Sequence, residues 1–334
     1  MKNVIITGGT GFIGKRLAES LRSELGKRAR VLAIGSGDVD LTDRNATFSW
    51  FARTAADMDC DHLFHLAAVY KAGGWPVEHP ATQFFSNTSI NVNVLWAWTR
   101  FFPKAKLTSA LSYCMYPPHD GAHPETELWG TEPEAYLYSY AMTKKALLVG
   151  QRACAQEYGS RCTSLVLPTV YGPGGGFEED SHVMGALIGK FVRAKRLQAP
   201  SVEVWGSGSQ QREFVFVDDA VNGFIAAAER SEELVQNLGT GSTHSVREIA
   251  ETIKRVSGYT GQIQYNPDRF VGVSKRSLDS TLIRSSLGWE PRTSLLSGID
   301  QSARWLTDQL DGGHAVDATL ARSSSSPATP KHRR

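Results

Sequence analysis

The chain has 334 residues, with 36 Lys and Arg against 34 Asp and Glu, and a formal net charge of +2. Hydrophobic residues make up 41% and charged residues 21%, enough apolar material for a sizeable core, which excludes wholesale disorder. No run approaches the ~18 consecutive apolar residues of a membrane span, and the four cysteines (Cys60, Cys114, Cys154 and Cys162) lack CxxC spacing, which excludes a disulfide framework and a cysteine zinc site.

At about 100–200 residues per domain the length predicts two structural units. The opening segment, MKNVIITGGTGFIG, carries one lysine and runs straight into patterned structure without a secretory cleavage site. With the unpaired cysteines, this predicts a reducing, cytoplasmic location. In chain order, the predicted strands are Asn3–Thr7, Arg30–Ile34, His62–Leu66, Lys106–Ser112 and Thr163–Leu167. Between them lie predicted helices at Phe12–Glu24, Asn45–Ala56, Thr82–Phe102 and Tyr136–Tyr158. Strands alternating with helices predict βαβ units and a parallel sheet covered on both faces. After Pro168 the rhythm loosens: a helix near His182–Ala194, a strand near Val202–Trp205, then helices near Asp218–Arg230, Val246–Ser257 and Leu295–Leu310. Residues 1–170 therefore read as a dinucleotide-binding unit to which about 213–242 return, and 171–311 as a smaller substrate-binding portion. Residues 312–334, rich in Ser, Pro and Gly, read as a disordered tail. Four Lys and Arg against one Asp make this tail +3, which leaves −1 for the rest. A near-neutral body predicts no nucleic-acid partner.

The first predicted strand leads into Gly8-x-x-Gly11-x-x-Gly14 and then a helix. Glycines allow a tight turn and close approach to a pyrophosphate, and the helix N-terminus offers free N–H groups and a positive dipole end. An acid at the end of the second strand would bond a ribose 2′-hydroxyl, whereas a cation would take a 2′-phosphate. That strand ends Ile34-Gly35-Ser36-Gly37, with no acid before Asp38. This favours NADP over the alternative, NAD, with Ser36, Lys15 or Arg16 as phosphate contacts.

The predicted helix at Tyr136–Tyr158 carries Tyr140-x-x-x-Lys144, which puts both side chains on one face. A lysine ammonium beside a phenol favours the phenolate, and such a tyrosine can exchange a proton with a hydroxyl while hydride moves. Ser112, ending the preceding strand, completes the set. An ordinary amphipathic helix is the plain alternative.

Together these residues resemble the extended short-chain dehydrogenase/reductases, the NAD-dependent epimerase/dehydratase family, acting on nucleotide sugars. The general motifs are TGGTGFIG, HLAA at His65–Ala68, the Tyr140/Lys144 pair and YGP at Tyr171–Pro173. SYCMYP, SHVMGALIGKF, VWGSGSQQREFVFVDD, KRSLDS and LGWEPRTSLLSGI resemble the GDP-L-fucose synthase branch in particular. The resemblance implies an α/β fold, a Rossmann-type doubly wound parallel sheet with a smaller C-terminal α/β substrate-binding portion. It implies an NADPH-dependent 3,5-epimerase/4-reductase of a GDP-4-keto-6-deoxy-hexose, with no metal, working as a homodimer through the helices predicted at Thr82–Phe102 and Tyr136–Tyr158.

Carried over residue by residue, Cys114 and His182 are the two acid/base groups that move protons on the carbons beside the ketone. Ser112, Tyr140 and Lys144 serve the reduction. The cofactor would touch Gly8, Thr10, Gly11, Phe12, Ile13 and Gly14 in the turn, then Ser36, Asp40 and Leu41. Further along it would meet Ala67, Ala68, Tyr140, Lys144, Leu167, Thr169 and His182. The sugar nucleotide would meet Lys190, Trp205, Arg212 and Arg276, the last following Lys275. Tyr113-Cys114 stands where nucleotide-sugar dehydratases carry Asp-Glu, which argues against dehydration. Some residues depart from the pattern: PTVYGP lacks an asparagine, the next loop reads GGGFEED, Tyr113 is bulky, and the arginine expected at the 2′-phosphate is missing. They keep two alternatives open. One is a 5-epimerase/4-reductase or 4-ketoreductase acting on another deoxy sugar, of colitose type or from secondary metabolism. The other is a non-catalytic NADP-sensing protein, against which Tyr140 and Lys144 both argue.

Overall fold

A computed structural model of the chain describes residues 3–26, 29–269 and 272–312. The chain begins with β1 (Asn3–Thr7), α1 (Phe12–Leu25), β2 (Arg30–Ile34), α2 (Arg44–Asp57) and β3 (His62–His65). It continues through α3 (Trp75–Glu78), α4 (Pro80–Phe101), β4 (Lys106–Ser112), β5 (Ala122–His123), α5 (Tyr138–Tyr158), β6 (Cys162–Leu167) and β7 (Thr169–Tyr171). Then come α6 (Val183–Arg196), β8 (Ser201–Trp205), β9 (Gln211–Phe216), α7 (Val217–Arg230), β10 (Val235–Asn237) and β11 (Thr243–Ser245). The last elements are α8 (Val246–Ser257), β12 (Gln262–Asn266), β13 (Lys275–Leu278), α9 (Thr281–Leu287) and α10 (Leu295–Asp311).

Six parallel strands form the central sheet in the order β10-β6-β4-β3-β1-β2. Alternate residues of one strand point to opposite faces, so β1 feeds two cores at once. Val4 and Ile6 pack with Leu17 and Leu21 of α1 and Phe224 of α7. Ile5 packs on the other side with Val94 and Trp98 of α4 and Leu147 and Leu148 of α5. Each such side chain, fully buried, contributes about 1.5–3 kcal/mol. The order places the C-terminal ends of β1, β3, β4 and β6 along one edge, where the reversal of strand order opens a crevice.

A second sheet runs β11-β9-β13-β5, with β7 added alongside β9, and β8 pairs in parallel with β12. It builds its own core from Phe191, Phe214, Phe216 and Ile253. Periodicity alone finds its helices α6, α8 and α10 and the strand β8 but misses its other strands. The strands β5, β7, β10 and β11 have two or three residues each, and their ladders join segments far apart in the chain. The strand predicted to reach Leu66 stops at His65, although the Leu66 N–H still donates to the Thr7 carbonyl at 3.0 Å. The helix predicted from Tyr136 begins at Tyr138, after a 3-10 turn at Ala135–Leu137. Apart from Gly312, the predicted tail lies outside the described residues.

Asp219, in the first turn of α7, ties the two parts together. Its buried carboxylate accepts the Arg292 N–H at 3.0 Å and the Thr293 N–H at 2.9 Å, and its carbonyl accepts Trp289 Nε1 at 3.2 Å. Hydrogen bonds to a charged group contribute about 1.5–3 kcal/mol. Asp219→Ala leaves two part-buried backbone donors without their charged acceptor, so the unfolding free energy should fall by about 2 kcal/mol, read from the urea midpoint. A loss below about 1 kcal/mol would contradict this anchoring role.

Candidate active site

The glycine turn is closed by its neighbours. A Cβ on Gly14 would stand 2.1 Å from the Gly8 carbonyl oxygen, and one on Gly8 would stand 2.7 Å from Ala67 N. Gly8 also sits at φ +70°, a conformation that side chains disfavour. Gly11 caps α1 without a side-chain bond, and no acid stands in the first turn. The first N–H groups of α1 thus have no side-chain cap, the arrangement a pyrophosphate fits. Thr10 lies over Gly35, where a Cβ would come 2.1 Å from its hydroxyl.

Past β2 the picture differs from expectation. Arg16 is no free phosphate contact: its Nε and Nη2 reach Asp218 at 2.5 and 2.8 Å, with Glu19 at 3.6 Å. Asp38 accepts the Gly35 N–H at 2.8 Å, beside exposed Ser36. Asp40 is exposed and accepts from Thr42 Oγ1 and N, bonds that hold its carboxyl below the usual range. Leu41 belongs to the apolar core beside α2 and α4. Lys15 remains exposed.

A cleft of about 620 Å³ opens at the sheet edge between the two parts. Phe12, Ile13, Ala68, Leu167 and Thr169 of the expected cofactor set line it, with all five expected catalytic residues and all four expected substrate residues. Gly8, Thr10, Gly11 and Gly14 form the turn beyond that wall, and Ala67 backs them.

Ser112 ends β4, paired with Leu167 of β6, and the next 3-10 turn carries Cys114. The Cys114 N–H reaches Ser112 Oγ at 3.4 Å. Burial pushes the thiol pKa up, against the opposing pull of Ser112, Arg276 and Lys144. From α5, Lys144 donates to the Ala110 carbonyl at 2.9 Å and stands 5.6 Å from the Tyr140 ring centroid. Burial lowers Lys144 to about 8. Burial, reinforced by Cys114 and Tyr70, raises the Tyr140 phenol well above its ordinary value. The expected depression of the phenol by its lysine is therefore outweighed by desolvation in this cleft.

Behind this pair runs a buried relay. The Thr7 hydroxyl meets His65 Nδ1 at 2.7 Å, His65 Nε2 meets Asn91 Oδ1 at 3.1 Å, and Asn91 Nδ2 donates to the Thr143 carbonyl at 3.1 Å. Since the Asn91 amide nitrogen is already committed, its oxygen takes the His65 Nε2 proton, and Nδ1 accepts from Thr7. Burial, and then Lys144, holds His65 at about 4, so it stays neutral.

His182 immediately precedes α6 and opens onto the solvent within the cleft. The surrounding walls lower its pKa. Tyr70 was not singled out from the sequence, yet its ring stacks on His182 at 5.2 Å and 9° and leans on Tyr140 at 4.8 Å. Tyr136 also lines the cleft. The only sequence signal for Tyr70 was an aromatic between HLAA and the Gly73-Gly74 pair.

At the far end, two cations approach the Trp205 ring, Lys190 at 5.1 Å and Arg269 at 5.2 Å from its centroid. Lys190 also pairs with Glu179 at 3.1 Å. Arg212 donates from Nη1 to the Gln211 carbonyl at 2.7 Å. Arg276 is buried, bonded to the Glu134 carboxylate, and lies 4.7 Å above the Tyr113 ring. Its charge is thus matched by a buried carboxylate, so it is not a solvated surface cation.

Residues 4–239 match the NAD dependent epimerase/dehydratase family. The chain belongs to that family. A relative from Oryza sativa subsp. japonica is 34% identical over 320 residues, covering 94% of this chain and 90% of its own. The GDP-L-fucose synthase of Escherichia coli (strain K12) is 30% identical, covering 93% of this chain and 98% of its own. Among solved structures, a GDP-6-OMe-4-keto-L-xylo-heptose reductase from C. jejuni superposes with a TM-score of 0.83 at 25% identity, covering 92% and 98% of the two chains. In this epimerase/dehydratase chain no helix of the described residues is long and apolar enough to cross a membrane, and all four cysteines are free.

Proposed function

We propose that the protein is a GDP-L-fucose synthase-type enzyme, which epimerises a GDP-4-keto-6-deoxy-hexose at C3 and C5 and reduces its C4 ketone with NADPH. One observation carries this: Cys114, His182, Tyr140 and Lys144 line a single cleft, in a chain that spans nearly the full length of relatives bearing that activity. The glycine turn fits the cofactor's pyrophosphate, because a Cβ would fill the cradle and the α1 amides are uncapped. Bound there, NADPH would supply the hydride that goes to C4.

The protein's residues do the rest. Protons on C3 and C5 are acidic because both carbons lie beside the ketone. Burial keeps the Cys114 thiol protonated and the cleft walls keep His182 neutral. The pair thus enters the reaction holding one proton, so one member can accept while the other donates. The phenol of Tyr140, protonated, gives its proton to the C4 oxygen as the hydride arrives, and the Lys144 ammonium stabilises the phenolate left behind. Lys190, Arg212 and Trp205 form the wall for the nucleotide diphosphate. Asp38 lies four residues past β2 and is taken up by the Gly35 N–H, so the preference for NADPH over NADH rests on Lys15 and Ser36.

Single epimerisation is a second reading, favoured by the flat stack of Tyr70 on His182, which restricts the imidazole's approach to substrate. Incubation with NADPH and a panel of GDP- and dTDP-4-keto sugars in D2O decides. Deuterium at both C3 and C5 of a reduced GDP sugar supports the first reading, and deuterium at one carbon supports the second. No NADPH oxidation with any of them would sink the enzyme assignment.

Gly14→Ala should weaken NADPH binding by at least tenfold in a fluorescence titration, because its Cβ forces the Gly8 carbonyl out of the turn. Unchanged affinity would place the cofactor elsewhere. We place the enzyme in the cytoplasm, where its thiols stay reduced. We read it as a homodimer, with exposed Phe85, Val92 and Trp96 of α4 and Val149 of α5 covered by a second copy.

A further inference from the structure

The segment between the Cys114 turn and α5 gathers three side chains that the proposed reaction does not use. His119, His123 and Glu127 are spaced four residues apart, and one donor atom from each lies within 4.8 Å of the others. Glu127 Oε2 stands 2.9 Å from His119 Nε2 and 2.9 Å from His123 Nδ1, and the two ring centroids are 3.9 Å apart. His123 is fixed. Its side chain is only 2% exposed and its ring stacks on Tyr116 at 4.9 Å and 13°. Its carbonyl accepts from Asp279 N at 2.9 Å and Asn237 Nδ2 at 2.8 Å. His119 and Glu127 are open to solvent at 40% and 38%.

We propose that His119, His123 and Glu127 form a binding site for a divalent transition-metal ion of the zinc class, separate from the catalytic cleft. Zinc bonds to imidazole nitrogen and carboxylate oxygen measure about 2.0–2.2 Å, so tetrahedral neighbours sit about 3.3–3.6 Å apart. The two imidazole–carboxylate contacts need to widen by only about 0.7 Å or less to admit the ion. Two imidazoles and one carboxylate suit zinc, nickel or cobalt better than calcium or magnesium, which take oxygen ligands. Three protein ligands leave a fourth position for water on the exposed side.

Each imidazole must move its proton to the other ring nitrogen, because each now faces the same carboxylate oxygen through an N–H. His119 also gives up a bond. Its Nδ1 accepts the Gly121 N–H at 3.0 Å, and coordination through Nε2 places the ring proton on Nδ1. The Gly121 amide therefore reports occupancy. β5, which carries His123, pairs with β13, whose Arg276 lines the cleft. A bound ion would pin the segment leaving Cys114 to that strand.

The test is a cobalt(II) titration of the full chain, followed by visible absorption. One equivalent should bind, with d–d bands and no near-UV thiolate charge-transfer band. His119→Ala and Glu127→Gln alter exposed side chains, so far-UV circular dichroism and the metal-free thermal midpoint should stay unchanged while affinity falls at least a hundredfold. In the unsubstituted protein, zinc at ~100 times its dissociation constant should raise the thermal midpoint by a few degrees, and in the variants it should not. The site is overturned if the chain shows no saturable binding, if both variants bind as tightly as the parent, or if a thiolate band places the ion on cysteine.

Discussion

Cys114→Ser is expected to stop solvent deuterium from entering the carbons beside the ketone, while leaving hydride transfer to an already epimerised ketone. A hydroxyl has nearly the thiol's shape but holds its proton far more tightly, so it can neither take nor return one at neutral pH. General acid–base groups contribute about 10²–10⁴-fold, and the exchange rate should drop by that amount. Burial holds the Cys114 thiol above its ordinary value, with the Ser112 hydroxyl, Arg276 and Lys144 pulling the other way. The thiol should therefore be active over a wide neutral range. Exchange continuing at full rate in the variant would show that another group moves the protons.

Tyr140→Phe should lower the reduction rate by about 10²–10⁴-fold with little change in NADPH affinity, since it removes the proton delivered to the C4 oxygen. The pH profile tests the partner. Burial depresses Lys144 to about 8, so the ammonium is present below that pH and is lost as the pH rises through it. The reduction rate should thus fall on the alkaline side with a midpoint near 8. Lys144→Arg keeps its charge at every accessible pH and should remove that alkaline limb, at some cost in rate. A profile flat to pH 10 in the parent enzyme would detach Lys144 from the phenol. The same depression has a stability consequence: between about 8 and 10.5 the unfolded chain binds the extra proton, so this site favours folding more as pH rises through that window.

Legibility in the sequence followed the range of the forces involved. β4 and α8 lie where the sequence puts them, at Lys106–Ser112 and Val246–Ser257, because β4 is buried along nearly its whole length and α8 buries one repeating face. β5 and β10 offered no such repeat. They exist because β13 and β6 run beside them. The glycine turn and the Tyr140/Lys144 face were readable because neighbours a few residues away create them. Tyr70 was missed because its importance comes from His182, brought to it only by the fold.

By itself the sequence determined the alternation of strands and helices, the dinucleotide turn, and which residue types could move a proton or a hydride. Tertiary structure decided their state. Arg16 pairs with Asp218, 202 residues on, and Arg276 with Glu134, 142 residues before it. Desolvation, set by everything packed around a group, raised the Tyr140 phenol that its adjacent lysine alone would have lowered. The charge state of a buried group is a sum over its whole surroundings, and only the folded chain supplies them.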